Sequence, residues 1–384
     1  MEEWKEYRLG DFMEFNPKIS LKKNTIARKI TMDQLVPHSR DIYSWTYEPY
    51  SGGAKFENGD TIMARITPCL ENGKHAFISL LNEDEIAYGS TEYIVIRGRE
   101  GISDNRFVYY LTHFPAFKNA AVKSMVGTSG RQRAQVDVLE NLKMRLPSLS
   151  YQKAVADILS KLDDKIAVNK RINDNLEQQA QALFKSWFVD FEPFRNGEFV
   201  ESELGMIPKG WRVYSLSEFL PVITGKKDAN VAKGGPYPFF SCSQDYGWTD
   251  DYSFEGNAIL VAGNGDFNVK MYNGKFEAYQ RTYVLIPHNP QYTAWLFYAV
   301  KYHLNDITSA ARGSVIKFIT KGNLADFRFP APSNLDKTEV IERFSCIKRI
   351  VASNQQESRR LAELRNTLLP KLMSGELKVN EIEI

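Results

Sequence analysis

Cysteine is almost absent from this 384-residue chain: Cys69, Cys242 and Cys346 lie far apart, with no Cys-x-x-Cys and no histidine at ligand spacing. A disulfide framework and a structural zinc site therefore find no support, and buried free thiols are expected. The histidines are few and scattered; His38, His75, His113, His288 and His303 form no sequence pair and read as surface or core residues rather than catalysts. No run approaches the ~18 consecutive apolar residues of a membrane span, and the opening Met1-Glu2-Glu3-Trp4 has neither the basic nor the apolar region of a signal peptide. A soluble, cytoplasmic protein with no membrane partner is expected. Net charge is also nearly absent, because 49 Lys+Arg against 47 Asp+Glu leave +2. Any anionic partner must then be met by local clusters, since no global basic field exists. No Gly-x-x-x-x-Gly-Lys-[Ser/Thr] occurs: Gly73-Lys74, Gly225-Lys226 and Gly274-Lys275 are followed by His, Lys and Phe, which removes that device for holding ATP.

What is present is ample apolar material, 43% hydrophobic and 12% aromatic residues, enough for two or three cores. It is organised as a duplication. Trp4, Tyr7, Leu9, Asp11 and Phe12 return at identical spacing as Trp211, Tyr214, Leu216, Glu218 and Phe219. Phe56-Glu57-Asn58-Gly59-Asp60-Thr61-Ile62-Met63 resembles Phe254-Glu255-Gly256-Asn257-Ala258-Ile259-Leu260 with one inserted residue, each a turn entering a strand. Thr91–Ile96 pairs with Arg281–Ile286 as β-branched or aromatic strands. An aromatic-rich helix is expected after each, over Asn105–Lys123 and Gln291–Asn305. Gly130 and Gly313 then precede Met144-Arg145-Leu146-Pro147 and Phe327-Arg328-Phe329-Pro330 at equal distance. The fold class is α+β, one domain duplicated with its order of parts kept.

Each copy is followed by a heptad pattern. In the first, Val155, Leu159, Leu162, Ile166, Asn169, Asn173 and Leu176 step by fours and threes, continuing to Ala180, Leu183 and Trp187. The second gives Val340, Phe344, Ile347, Val351, Asn354, Ser358, Leu361, Arg365, Leu368 and Leu372, with Pro370 expected to end or kink the helix. Polar residues fill the same central layers in both, a device that sets register and partner. The pattern alone leaves parallel and antiparallel pairing open, and also two amphipathic helices lying on their own domains. The expected division is 1–149 and 211–334 for the duplicated domains, 150–188 and 335–384 for the helices with the tail, and 189–210 for a structured Pro/Gly-containing connector.

Three segments carry a family resemblance: Leu183-Phe184-Lys185-Ser186-Trp187-Phe188-Val189-Asp190-Phe191, Leu204-Gly205-Met206-Ile207-Pro208-Lys209-Gly210-Trp211 and Leu368-Leu369-Pro370-Lys371-Leu372-Met373-Ser374-Gly375-Glu376-Leu377. They closely resemble the specificity subunit of type I restriction-modification enzymes, and the resemblance spans the whole chain. It implies two target recognition domains alternating with two long conserved helices that form an antiparallel coiled coil, which would place Asn169 near Ser358 and Asn173 near Asn354. It further implies that each domain reads one half of a bipartite double-stranded DNA target. Two methyltransferase subunits using S-adenosylmethionine would dock on the helices, and restriction subunits using ATP and magnesium can join. The chain itself would be non-catalytic, with no cofactor and no metal. Gly263-Asn264-Gly265 and Asn289-Pro290-Gln291-Tyr292 tempt an adenine-methyltransferase reading, but only 23 residues separate Gly265 from Asn289, too few for a cofactor-binding sheet. The glycines read as a turn and Pro290 as a helix start. No Pro-Asp dipeptide opens a nuclease cluster.

Phosphate binding needs clustered Lys and Arg, and base reading needs matched donors and acceptors. In the first domain the candidates are Lys22, Lys23, Arg28 and Lys29, and the glycine loop Thr128, Ser129, Arg131, Gln132 and Arg133. In the second they are Lys226 and Lys227, and the loop residues Arg312, Ser314 and Lys317. Neighbouring aromatics, Tyr43, Trp45, Tyr47, Tyr50, Tyr237, Tyr246 and Trp248, are read as loop supports. A reading from a different class stays open: a coiled-coil scaffold that binds protein partners and no DNA.

Overall fold

The computed structural model describes residues 4–309, 317–335 and 338–382. The chain divides into two compact units, one running through Lys170 and resuming at Gln356, the other Arg171–Gln355. Each unit therefore takes one of the duplicated domains together with part of each long helix, rather than a whole helix following each domain.

In the first unit Trp4–Arg8 pairs antiparallel with Lys143–Pro147, Trp4 opposite Pro147 and Tyr7 opposite Met144. A four-stranded sheet follows in the order Met13–Phe15, Tyr93–Gly98, Thr61–Ala64, His75–Phe77. A second sheet is ordered Thr46–Pro49, Ile26–Ile30, Ala87–Gly89, Lys55–Phe56. The second unit repeats the first sheet as Val222–Thr224, Thr282–Leu285, Phe254–Ala262, Val269–Ala278 and extends it through Tyr237–Phe240 to Gly247–Thr249. The two sheets of the first unit are here one six-stranded sheet, because the strands that Glu57–Asp60 and Ile78–Ile86 interrupt in the first copy run on unbroken in the second.

Trp211–Ser215 pairs with Arg328–Pro332, Trp211 opposite Pro332 and Tyr214 opposite Phe329. Structurally Pro147 thus matches Pro332, two residues beyond the match read from sequence. A slip of two keeps every side chain on its face, so alternation of apolar residues cannot detect it. The helix expected over Asn105–Lys123 is two, Asn105–His113 and Pro115–Lys123, broken at Phe114 because the residue before proline avoids helical geometry. Its counterpart is Thr293–Tyr302, preceded by a 3-10 turn Pro290–Tyr292 that Asn289 caps through the Gln291 amide.

The long helices are Leu149–Phe188 and Glu339–Ser374. Pro370 does not end the second: Leu369, Leu372 and Met373 are buried in the first unit's core and hold the last turn in place. Gly375, at φ +74°, closes the helix against the Trp4 ring, which a Cβ there would meet at 2.8 Å. Antiparallel pairing is explicit within each unit. In the first, Arg365 bonds Asp163 and Asn169 Nδ2 donates to Ser358 Oγ at 3.3 Å. In the second, Asn354 Nδ2 donates to Asn173 Oδ1 at 2.8 Å and Lys348 pairs with Glu177 at 3.1 Å. Of the heptad positions, Val155, Leu159, Leu162, Asn169, Val340 and Phe344 are buried, while Ile166, Asn173, Leu176, Ile347, Val351, Asn354, Leu361 and Leu368 are half-buried. Ala156, Ile158, Ala167, Ile341 and Leu369 are buried as well, so the apolar stripe is wider than a two-helix seam because each helix also lies on a domain. Residues 189–210 form a 3-10 turn and a hairpin, Phe199–Ser202 with Gly205–Pro208, and Phe191 and Phe194 lie against Trp211 at 5.3 and 5.1 Å.

His75 and His113, far apart in sequence, stack with ring centroids 4.7 Å apart. Thr112 Oγ1 spends its hydrogen on the Tyr109 carbonyl, so His75 Nδ1, 3.1 Å away, must donate to it and Nε2 stays a bare acceptor. Burial, with help from Lys118 and His38, pushes the His75 pKa down to about 3; burial, His75 and Arg365 push His113 well below its ordinary value. Both rings are neutral in the folded chain and protonate near pH 6.5 when unfolded. The unfolded state binds more protons below that point, so stability must fall as pH drops from about 6.5 toward 3. Urea titrations at about pH 7 and about pH 5 are expected to show a lower midpoint at the acid pH for the wild type, and a smaller loss for His75→Gln.

Candidate nucleic-acid interface

In the first unit, residues 126–133 form a small hairpin. Val126 and Arg133 exchange both backbone hydrogen bonds, at 3.1 and 2.9 Å, and Arg131 N donates to Thr128 O at 2.9 Å to close the turn. Gly127 (φ +140°) and Gly130 (φ +76°) supply the backbone region that other residues avoid, and a Cβ on Gly127 would lie 2.9 Å from the Arg131 carbonyl. The hairpin is anchored to the sheet by a bridge between Ile66 and Arg133 and by Thr67 N donating to Gln132 O. Arg133 grips the Glu92 carboxylate with both arms, at 2.6 to 3.0 Å. That hydrogen-bonded pair raises the Arg133 pKa and lowers that of Glu92. Arg133 is thus spent on holding the loop. Thr128, Ser129 and Arg131 are exposed, Gln132 is half-buried, and among the described residues no carboxylate pairs with Arg131. Glu92 escaped the sequence reading, since nothing in the chain marks a single acid as the partner of an arginine 41 residues away.

The other basic window does not join this hairpin. Lys22 and Lys23 are exposed at the turn that enters Ile26–Ile30, where Asn24 N bonds Tyr50 O. The parallel register of Ile30 with Gly89 puts the Glu92 side at the far end of that strand, roughly 20 Å away at 3.3 Å per residue. Arg28 is not at the surface at all. It is 5% exposed, bonded to Glu85 at 2.9 and 3.1 Å, to Leu80 O and to Tyr47, with the Trp45 ring 4.6 Å over its guanidinium. Strand alternation turned it inward, and Trp45 and Tyr47 are its supports. Lys29 pairs with Glu48 at 2.7 Å.

In the second unit, Lys226 is exposed and Lys227 half-exposed, both backbone amides bonding Ala278 O. Gly225 makes this possible: a Cβ there would meet the Tyr279 carbonyl at 2.0 Å. Arg312 and Ser314 lie outside the described residues, whereas Lys317 is exposed and its carbonyl accepts from Gly265 N. Phe318 bridges Asn264 and Ile319 N bonds Gly263 O, just as Arg133 bridges Ile66 and Ala134 N bonds Arg65 O. The segments that follow the two glycines in sequence, Arg133–Ala134 and Phe318–Ile319, therefore meet the same strand end in both copies. Gly263-Asn264-Gly265 is the receiving turn, with Gly265 at φ +69°. Among the described residues no cluster of His, Cys, Asp or Glu can hold a metal, and no helix is long and apolar enough to cross a membrane.

The family model for the type I restriction modification DNA specificity domain matches residues 1–178 and again 208–363, once for each copy. The EcoDI specificity subunit of Escherichia coli is 35% identical over 178 residues, which cover 45% of this chain and 40% of that protein. The match thus spans less than half of that relative's length. The HindI specificity subunit of Haemophilus influenzae is 24% identical over 479 residues, covering 98% of this chain and 100% of that protein. Among solved structures, the type I S subunit from M. genitalium shares the fold with a TM-score of 0.59 at 15% identity, covering 97% of this chain and 96% of that one.

If Arg133 holds the hairpin through Glu92, Arg133→Gln should raise hydrogen exchange at the Val126 and Arg133 amides while the strands Thr61–Ala64 and Tyr93–Gly98 keep their protection. Unchanged exchange at those two amides would show that the ion pair is idle, as many exposed pairs are.

Proposed function

Because the chain belongs to the type I restriction modification DNA specificity family, we propose that it is the non-catalytic specificity subunit of such a system and that each of its two units reads one half of a bipartite duplex target. The observation that carries this reading is the duplicated framework with divergent loops. In both copies the segment that follows the glycine in sequence meets the same strand end, yet one copy offers Thr128, Ser129 and Arg131 where the other offers Lys317 in a different sequence. A constant frame with unlike readers suits two unlike half-sites.

Within the first loop Arg131 is the base reader, because a free guanidinium can give two donors to a guanine edge. Thr128 and Ser129 flank it with neutral donors, and Gln132 is held by its own backbone contact with Thr67. Lys22, Lys23, Lys226 and Lys227 act as phosphate contacts that set position. Methyl transfer to adenine belongs to two partner methyltransferase subunits that bring S-adenosylmethionine, and ATP with magnesium belongs to a restriction subunit where one is present. A protein-only scaffold accounts for the helices but leaves the exposed Arg131 and its built hairpin without a role.

Arg131→Ala should weaken binding of the target by about 1–3 kcal/mol and relax preference at one base pair of one half-site, whereas Lys22→Ala with Lys23→Ala should weaken all duplexes alike and flatten the salt dependence by about one to two units. Fluorescence anisotropy with target and scrambled duplexes reads both. Native affinity and salt slope in both variants would remove these residues from the interface.

A further inference from the structure

The second unit carries a cleft of about 820 Å³ between its sheet and the second long helix, floored by Asn257, Met271 and Asn273 and walled by Ile341, Ser345 and Arg349. The first unit shows what fills the equivalent place. There the strands Ile26–Ile30 and Thr46–Pro49 are joined by residues 31–45, and this loop reaches from the edge strand His75–Phe77 to the first long helix. Arg40 accepts through its carbonyl from Phe77 N at 3.0 Å, donates to Ser160 O at 3.4 Å and pairs with Asp164 at 2.6 Å. The heptads align Ser160 with Ser345 and Asp164 with Arg349, and the strand registers align Phe77 with Met271. All three counterparts line the open cleft. In the second unit the corresponding strands, Tyr237–Phe240 and Gly247–Thr249, are joined by residues 241–246 alone, too short a connection to make that reach.

The charge at the decisive helix position is reversed as well. Where the first copy has Asp164, bound by Arg40 of its own loop, the second has Arg349, exposed and without a carboxylate partner among the described residues. Lys348 beside it is paired with Glu177, while Glu339 and Glu342 make the other end of the cleft acidic.

We propose that this cleft receives an extended segment of another protein, laid between the sheet and the helix as residues 36–43 bridge edge strand and helix in the first unit, with a carboxylate on Arg349 and any basic side chain toward Glu342. A charge-assisted pair to Arg349 supplies specificity and the sheet floor supplies the seat. The proposal stands apart from DNA reading, since it concerns the helix side of the unit.

The probe is a fluorescein-labelled peptide of residues 34–45 carrying Arg40→Glu, titrated by anisotropy against the full chain. Saturable binding is expected, weakened about tenfold by Arg349→Glu, and the same peptide with native Arg40 should bind Arg349→Glu better than it binds the wild type. Binding by neither peptide, or binding indifferent to Arg349, overturns the proposal. Two controls identify a different occupant: loss of a chain dimer in sedimentation of Arg349→Glu would assign the cleft to a second copy, and loss of duplex affinity in that variant would assign Arg349 to phosphate. Either result overturns the peptide reading while leaving the proposed function standing.

Discussion

Each unit is held to both long helices by one ionic layer, buried in the first unit and half-buried in the second. In one, the carboxylate of Asp163 on the first long helix meets Arg365 of the second and accepts the Tyr110 hydroxyl at 2.7 Å. In the other, Glu177 of the first helix meets Lys348 of the second at 3.1 Å and accepts the Tyr298 hydroxyl at 2.9 Å. The tyrosines occupy equivalent places in the duplicated domains, each on the helix after the sheet. Each layer therefore ties one domain to both long helices through a single carboxylate. Burial resists the charge on Glu177, but Lys301, Lys348 and Tyr298 outweigh it and hold its pKa at about 2. Such pairs give little net stability over apolar packing, since desolvation consumes most of the attraction. Their use is choice of partner: the first helix provides only acids to these layers and the second only bases, so a helix paired with its own copy would bring like charges together.

Between these layers in sequence sit Asn169 with Ser358 and Asn173 with Asn354, polar layers that bond each other across the two helices. The result is a scaffold that spends stability on a single arrangement. Against it the recognition domains are free to diverge. The second copy merges two sheets into one, shortens the loop that its counterpart sends to the first long helix, and changes the residues of its glycine loop, without altering the strand order Val222–Thr224, Thr282–Leu285, Phe254–Ala262, Val269–Ala278 that matches the first copy. Divergence is confined to what the framework does not need.

Much of that framework was legible before any coordinates. The Trp-Tyr-Leu-Phe repeat and the heptads depend on local periodicity, which a single chain displays directly. What stayed hidden depended on contacts distant in sequence. The return strand lay two residues off the apparent match because period-two alternation is blind to that slip. Pro370 sits inside a helix because tertiary burial of Leu369, Leu372 and Met373 outweighs one missing hydrogen bond. His75 and His113 form a stacked pair that no spacing rule could announce. In the candidate interface the residue types were readable and their employment was not. Arg28 and Arg133 look the same as Arg131 in a string of letters, and only the placement of Glu85 and Glu92 separates two bound cations from one with no carboxylate partner among the described residues.

That separation bears on how a chain of net charge +2 meets a polyanion. Counterion release from DNA rewards cations that are free to approach phosphate, while a guanidinium already neutralised by a carboxylate contributes little charge and must break a bond to contribute more. Of the basic residues in the first unit's two windows, Lys22, Lys23 and Arg131 are exposed and carry no ion pair with a described residue, whereas Arg28, Lys29 and Arg133 are engaged. On the proposed function, phosphate affinity rests on few contacts and stays modest, and discrimination rests on the hairpin that Arg133 and Glu92 hold. A neutral protein can be selective for this reason: rigidity at the reading loop lowers the ordering cost of binding, and a weak background field leaves fewer nonspecific contacts to compete with it.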